Sequence, residues 1–325
     1  MTMTVITPTD TALAPFTPSD RAQRIRRYVD AGKSDATKRA YSIAWRAFEA
    51  FCAEHGYVPH PAQPEAVVDY LTTLADTGAS VSKIGQHRAA IRFYHRGQAN
   101  PCADDRVEET MKGITRKVGT MSKPKAALSP DELRKLVATL PDDLRCKRDR
   151  ALLLMGWAGA FRRSELVALT VADIDTRGDK LTITLRRSKT DQEGQGLYKS
   201  LPSMEDATIC PVAAYRAWLD AAGINSGVVF RSIDRWGHAH EGQMDGREVA
   251  RIVKSACKRA GIDERRFAGH SLRSGFVTAA TLAGANDSDI MEQTNHKSSA
   301  TLRRYKQMAG LGAQRAVFAA FGAAK

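Results

Sequence analysis

No run of apolar residues in this 325-residue chain approaches the roughly 18–20 needed to span a bilayer. The opening segment, MTMTVITPTD, has neither a basic n-region nor an apolar h-region, so no secretory leader is expected. Together these absences predict a cytoplasmic protein that does not engage a membrane. Cysteine is sparse. The five residues Cys52, Cys102, Cys146, Cys210 and Cys257 are odd in number, widely spaced, and form no CxxC pair. That disfavours a zinc ribbon or a thioredoxin-like site and points to reduced thiols. No internal repeat is present.

Acid is the scarcer charge. There are 36 Asp+Glu against 49 Lys+Arg, a net charge of +13. Both halves of the chain share the excess, as expected of a protein that wraps a polyanion. Charge alone does not separate a nucleic-acid binder from a merely basic protein.

Residues 1–20 are rich in Thr, Pro and Ala without periodicity and read as a flexible tail. Residues 21–115 read as a helical domain. Ser34 or Asp35 caps a helix carrying Tyr41, Trp45, Phe48 and Cys52 at three- to four-residue spacing, closed by Gly56. Pro64 opens a second, Ser80 a third, and a fourth covers Asp104 to Ile114. Residues 116–127 are basic, contain Gly and Pro, and read as an interdomain linker. Residues 128–325 form a second domain. Ser129-Pro130 with Glu132 marks a helix start, and the apolar run 151–160 marks a buried helix. Alternation over Lys180–Arg187 and Leu197–Leu201, around Gly194-Gln195-Gly196, predicts a β-hairpin. From Pro211 onward the chain is expected to be mainly helical. The fold class is therefore mainly α with a small β-hairpin.

Four stretches carry chemistry. AFRRSELVAL places Arg162 at a helix start with Glu165 three residues on. RRSKTDQEGQG places Lys189 at the hairpin tip. HSLRSG places His270 and Arg273 on one helix face. NHKSSATLRRY places His296 nine residues before Tyr305. Each alone is as readily a surface or core residue. Together they make a kit for attacking a phosphodiester without a metal. Two guanidiniums clamp the non-bridging oxygens and stabilise the transition-state charge. A phenol, with a reference pKa of about 10, needs a neighbouring base to act as nucleophile. A histidine supplies that base, and a lysine depressed by nearby arginines can protonate the leaving oxygen.

The order and spacing of these stretches resemble the tyrosine recombinases of the phage-integrase family, and AIRFYHRGQANP at residues 90–101 resembles that family's helical core-binding domain. The resemblance covers about residues 30–310. It implies a core-binding domain and an α+β catalytic domain closing as a C-shaped clamp on DNA. It gives Arg162 and Arg273 to the scissile phosphate, Lys189 to the 5′-leaving group, and His270 to proton transfer with the tyrosine. It gives His296 to the phosphate, Tyr305 to nucleophilic attack, and Glu165 to bracing the site. It implies a 3′-phosphotyrosyl link, no cofactor, no metal and no ATP. Three departures stand out: Asn295 where the family commonly has Gly, Phe161 where it usually has Leu or Met, and Arg163 directly after Arg162.

The resemblance also suggests DNA contacts from Lys83, Gln86, His87 and Arg88 on the third helix. Arg116, Lys117 and Lys123 of the linker, and Arg247, Arg251 and Lys254 on one later helix face, suit phosphate or bases. The expected partners are double-stranded DNA with inverted-repeat sites and three further copies of the chain, monomeric in solution and tetrameric on DNA. The apolar stripe Leu311, Val317, Phe318 and Phe321 is expected to dock on a neighbour. The segment before the first strong helix is too short for a separate arm-site domain. A topoisomerase-like or telomere-resolving use of the same site, a non-cleaving DNA-binding accessory protein and a metal nuclease remain as alternatives.

Overall fold

The computed structural model describes residues 23–24, 27–28, 32–97, 99–120, 125–185, 196–295, 302 and 305. The chain divides into two compact units, Met1–Lys123 and Pro124–Lys325. The tail at 1–20, Lys123, Lys189, His296 and the stripe from Leu311 lie outside the described residues.

The described residues of the first unit include the helices α1 (Asp35–His55), α2 (Pro64–Asp76), α3 (Val81–Tyr94) and α4 (Asp105–Val118). Their ends follow local chemistry. Ser34, Ser80 and Asp104 accept backbone N–H bonds as N-caps, Pro64 opens α2, and Gly56 closes α1 at φ 75°. The core gathers Phe48, Phe51, Val67, Tyr70, Leu71, Ile84, Ile91 and Val107. Truncating a ring such as Phe48 to alanine costs about 3–5 kcal/mol in such a setting. The fourth helix runs past Ile114 to Val118, so Arg116 and Lys117 belong to its last turn rather than to a linker. Their positive charge suits a helix C-terminus.

The second unit opens with α5 (Pro130–Ala138), started by a full capping box between Ser129 and Glu132. The buried helix α6 (Leu144–Ala158) begins earlier than the apolar run suggests, capped by Asp143. A short α7 (Arg163–Ala168) leads to β1 (Ile174–Asp175), β2 (Lys180–Leu185) and β3 (Leu197–Pro202), an antiparallel sheet in that order. Then come α8 (Pro211–Ala222), a second hairpin of β4 (Arg231–Ile233) and β5 (Ala239–Gln243), α9 (Gly246–Arg259), α10 (Ser271–Leu282) and α11 (Asp287–Thr294). The chain after Pro211 is mainly helical as expected, with the β4–β5 hairpin as an addition that the sequence does not announce. Its strands are short and mostly exposed, so they carry little hydrophobic alternation. The core of this unit centres on α6, with Leu152, Leu153, Met155, Trp218, Phe230, Val253 and Leu272 buried in it. No helix among the described residues is long and apolar enough to cross a membrane.

Two histidines sit inside the first unit. His95 accepts the Ala62 backbone N–H at Nε2 (3.0 Å) and donates from Nδ1 to the Ile91 carbonyl (2.8 Å), which requires the neutral ring. His87 pairs with the Tyr70 hydroxyl at 2.7 Å. Burial lowers both pKa values, with Lys83 adding to the effect at His87 and His60 at His95. The unfolded chain therefore binds protons more readily, so stability is full above about pH 6.5 and falls as the pH drops below it. Thermal melts of the full chain followed by circular dichroism should show a lower midpoint at pH 5.5 than at pH 7.5. An unchanged midpoint would contradict neutral burial of both rings.

Candidate active site

Two helix C-termini meet in the second unit, and the site is built where they meet. The last carbonyls of a helix have no intrahelical donor and carry the negative end of its dipole. On α6 these orphans are Ala158, Gly159 and Ala160; on α11 they are Gln293, Thr294 and Asn295. Arg273 joins the two sets, donating Nη1 to the Ala160 carbonyl at 2.7 Å and Nη2 to the Thr294 carbonyl. Arg162 donates Nη2 to the Asn295 carbonyl at 3.1 Å. The Gln293 amide donates to the Ala158 carbonyl at 3.1 Å. Lys199, reaching in from β3, donates to the carbonyls of both Gly159 and Gln293.

Backbone geometry shapes both turns. Ala160 stands at φ 46° and Asn295 at φ 51°, in the left-handed region. Asparagine is the side chain that best tolerates that region after glycine, so Asn295 can close α11 as its left-handed C-cap. A Cβ on Gly159 would come within 2.1 Å of the Phe161 ring. The chain can therefore fold tightly from α6 into Arg162.

Arg162 is the N-cap residue of α7. Its Nη1 donates to Glu165 Oε1 at 2.6 Å, and its backbone N–H donates to Oε2 at 2.9 Å. Glu165 is buried and holds the guanidinium from below. Arg163 is exposed, and its side chain packs over Gly269, whose Cβ position is 2.5 Å from Arg163 Cδ. Of the two adjacent arginines, Arg162 bonds Glu165 and the Asn295 carbonyl, and Arg163 packs over Gly269, beside His270.

Arg273 is 1% exposed. Burial, and then the charge of Arg162, lower its pKa to about 10, while Glu165 and Tyr305 oppose the shift. It stays a cation at neutral pH, with two of its five N–H donors spent on carbonyls that fix its plane. His270 precedes α10, and its Nε2 lies 2.7 Å from the Tyr305 hydroxyl. Desolvation, followed by the charges of Arg273, Arg163 and Arg162, keeps its pKa below the ordinary value. The ring is therefore neutral at neutral pH and able to accept the phenol's proton. Tyr305 packs on a small cluster of Val277, Ile290 and Leu302 between α10 and α11.

The structure thus brings together Arg162, Glu165, His270, Arg273 and Tyr305. Among the proposed DNA contacts, Lys83, Gln86, Arg116 and Lys117 are exposed and Arg88 is half-buried. His87 is corrected: at 7% exposure and bonded to Tyr70, it faces the core. It stands three residues after Ile84 and four before Ile91, on their own helical face. Arg247, Arg251 and Lys254 are exposed along α9. Lys199 was not anticipated. The signal was present, because Leu197, Lys199 and Leu201 alternate along one strand and so share a face. Among the described residues no group of three or more His, Cys, Asp or Glu side chains gathers as a metal would need.

Gly275, the last residue of HSLRSG, serves packing. A Cβ there would lie 2.0 Å from the Leu128 carbonyl oxygen and 2.7 Å from Trp157 Nε1, which itself donates to that oxygen. The substitution Gly275→Ala should destabilise the protein by about 1–3 kcal/mol through overpacking, read as a lower denaturation midpoint. An unchanged midpoint would show that this contact can relax.

A model of the phage integrase family matches residues 126–310. The chain is 38% identical to an integrase/recombinase XerD homologue of Selenomonas ruminantium over 290 residues, covering 87% of this chain and 84% of that one. It is 25% identical to the recombinase Cre of Escherichia phage P1 over 280 residues, 80% of each chain. A crystal structure of the XerH site-specific recombinase bound to palindromic difH substrate, a post-cleavage complex, superposes with a TM-score of 0.58 at 17% identity. That match covers 79% of this chain and 71% of the other. The chain belongs to the phage integrase family and is a site-specific tyrosine recombinase.

Proposed function

We propose that the chain cleaves and rejoins duplex DNA through a 3′-phosphotyrosyl intermediate, with neither metal nor ATP. The observation that carries this reading is the Tyr305 hydroxyl 2.7 Å from His270 Nε2, beside Arg273 and Arg162. His270 takes the phenolic proton as the Tyr305 oxygen attacks phosphorus. The bond from phosphorus to the 5′-oxygen breaks, and that oxygen takes a proton from Lys189, a role assigned by the family resemblance. The two guanidiniums stabilise the charge on the non-bridging oxygens. His296, by the same resemblance, hydrogen-bonds the phosphate. Because the tyrosyl ester keeps the energy of the broken bond, a 5′-hydroxyl reverses the step without a cofactor.

Exchange between two inverted-repeat sites would then take four protomers, assembled on DNA from monomers. Lys83, Gln86 and Arg88 of α3, with Arg116 and Lys117 ending α4, offer one charged face. Arg247, Arg251 and Lys254 of α9 offer another. The relatives named above support DNA as the partner.

Two experiments test the reading. Wild type, incubated with fragments flanking its own gene in EDTA and quenched in detergent, should give protein linked to a 3′ phosphate, and Tyr305→Phe should give none. Adducts in the variant would mean another nucleophile. In single-turnover cleavage the rate should hold through neutral pH and fall only as the pH drops below the lowered pKa of His270, while His270→Ala should slow cleavage by roughly 10²–10⁴-fold. Separately, Arg247→Ala/Arg251→Ala/Lys254→Ala should weaken DNA binding across sequences. It should also reduce the slope of log affinity against log salt by roughly 0.9 per lost phosphate contact. An unchanged slope would remove α9 from the interface.

A further inference from the structure

We infer that Lys199 is a positioning residue of this site, clamping the turn that presents Arg162 to the turn that leads toward the tyrosine. The inference rests on the cleavage reading above. Lys199 is 2% exposed and sits in β3 opposite Ile183 of β2, on the strand's inward face. Its ammonium donates to the Gly159 carbonyl at 2.8 Å and to the Gln293 carbonyl, and it lies 5.2 Å from the centre of the Phe161 ring. Gly159 stands three residues before Arg162, and Gln293 three residues before His296. The bonds of Lys199 run parallel to those of Arg273, one residue earlier on each turn. The same strand pairs with β2 through Leu197 and Leu185, which flank the segment carrying Lys189. One side chain therefore ties the turn before Arg162 to the turn before His296. It also gives Phe161 a purpose, since an aromatic face accepts the ammonium where an aliphatic one would not.

Stability does not account for a lysine here. A buried ammonium is expensive, and replacing buried charge by a well-packed apolar group is often neutral or stabilising. Glu165 favours the charge, whereas burial, Arg273 and Arg162 oppose it and bring its pKa to about 7. Deprotonation still leaves two N–H donors for two carbonyls, so the clamp persists on either side of neutrality. Lys199 should therefore add no step of its own to the pH–rate profile.

The test compares wild type with Lys199→Met and Lys199→Gln on a half-site duplex. One substrate carries an ordinary scissile phosphate, and the other a 5′-bridging phosphorothiolate, whose thiol leaving group needs no acid. Positioning predicts DNA affinity within about threefold of wild type and cleavage slowed roughly 10–100-fold on both substrates. Lys199→Gln, which keeps two N–H donors, should lose less, and it carries the test if the Met variant does not fold. Wild-type cleavage rates in both variants would overturn the inference. Slow cleavage of the phosphate with full speed on the phosphorothiolate would also overturn it, by making Lys199 the acid for the leaving oxygen. Failure of wild type to form any adduct would refute the cleavage reading itself, and this inference with it.

Discussion

The catalytic unit depends on opposing like dipoles. Two helices, α6 and α11, end facing each other, and each presents a row of carbonyl oxygens with no helical donor. Left alone, such an arrangement repels and leaves buried acceptors without partners. Cations from elsewhere in the unit enter the gap: Arg273 and Lys199 bind both rows, and Arg162 binds the α11 row. Arg273 comes from α10, Arg162 from the start of α7, and Lys199 from β3. The charge that holds the fold together is thus the charge that a phosphate would meet. On the proposed reading, structure and chemistry share the same guanidiniums.

That sharing explains the role of Glu165. An arginine beside other buried cations would repel them. The carboxylate, bonded to Arg162 at 2.6 Å, offsets part of the excess and fixes the guanidinium's plane. It favours the charged forms of Arg273 and Lys199 as well. A single acid placed beneath three cations lets them coexist without cancelling the positive potential of the site.

Much of this was legible beforehand, and for physical reasons. Helix starts announced themselves through Ser80, Asp104 and Ser129, and the catalytic set through the spacing of Arg162 with Glu165 and His270 with Arg273. What escaped notice follows a pattern. His87 is expected on the face turned away from Ile84 and Ile91, yet its spacing of three and four residues from them puts it on their own buried face. A lysine in a strand reads as solvent-facing, as at Lys199, even where its neighbours two residues away are leucines. The β4–β5 hairpin left little trace because short, exposed strands need no alternating pattern. At His87 and Lys199 the backbone's period places the side chain inside, whereas at the hairpin no such period exists.

The carbonyl ladder has one more consequence. Half of its partners are main-chain atoms, which no substitution deletes. The acceptors at Ala160, Thr294 and Asn295 are present whatever side chain stands there, whereas the donors that reach them are the side chains of Arg162 and Arg273. A lost cation therefore removes a bond outright, while a changed turn residue leaves its acceptor in place and acts only through packing and backbone conformation, Ala160 and Thr294 being fully buried.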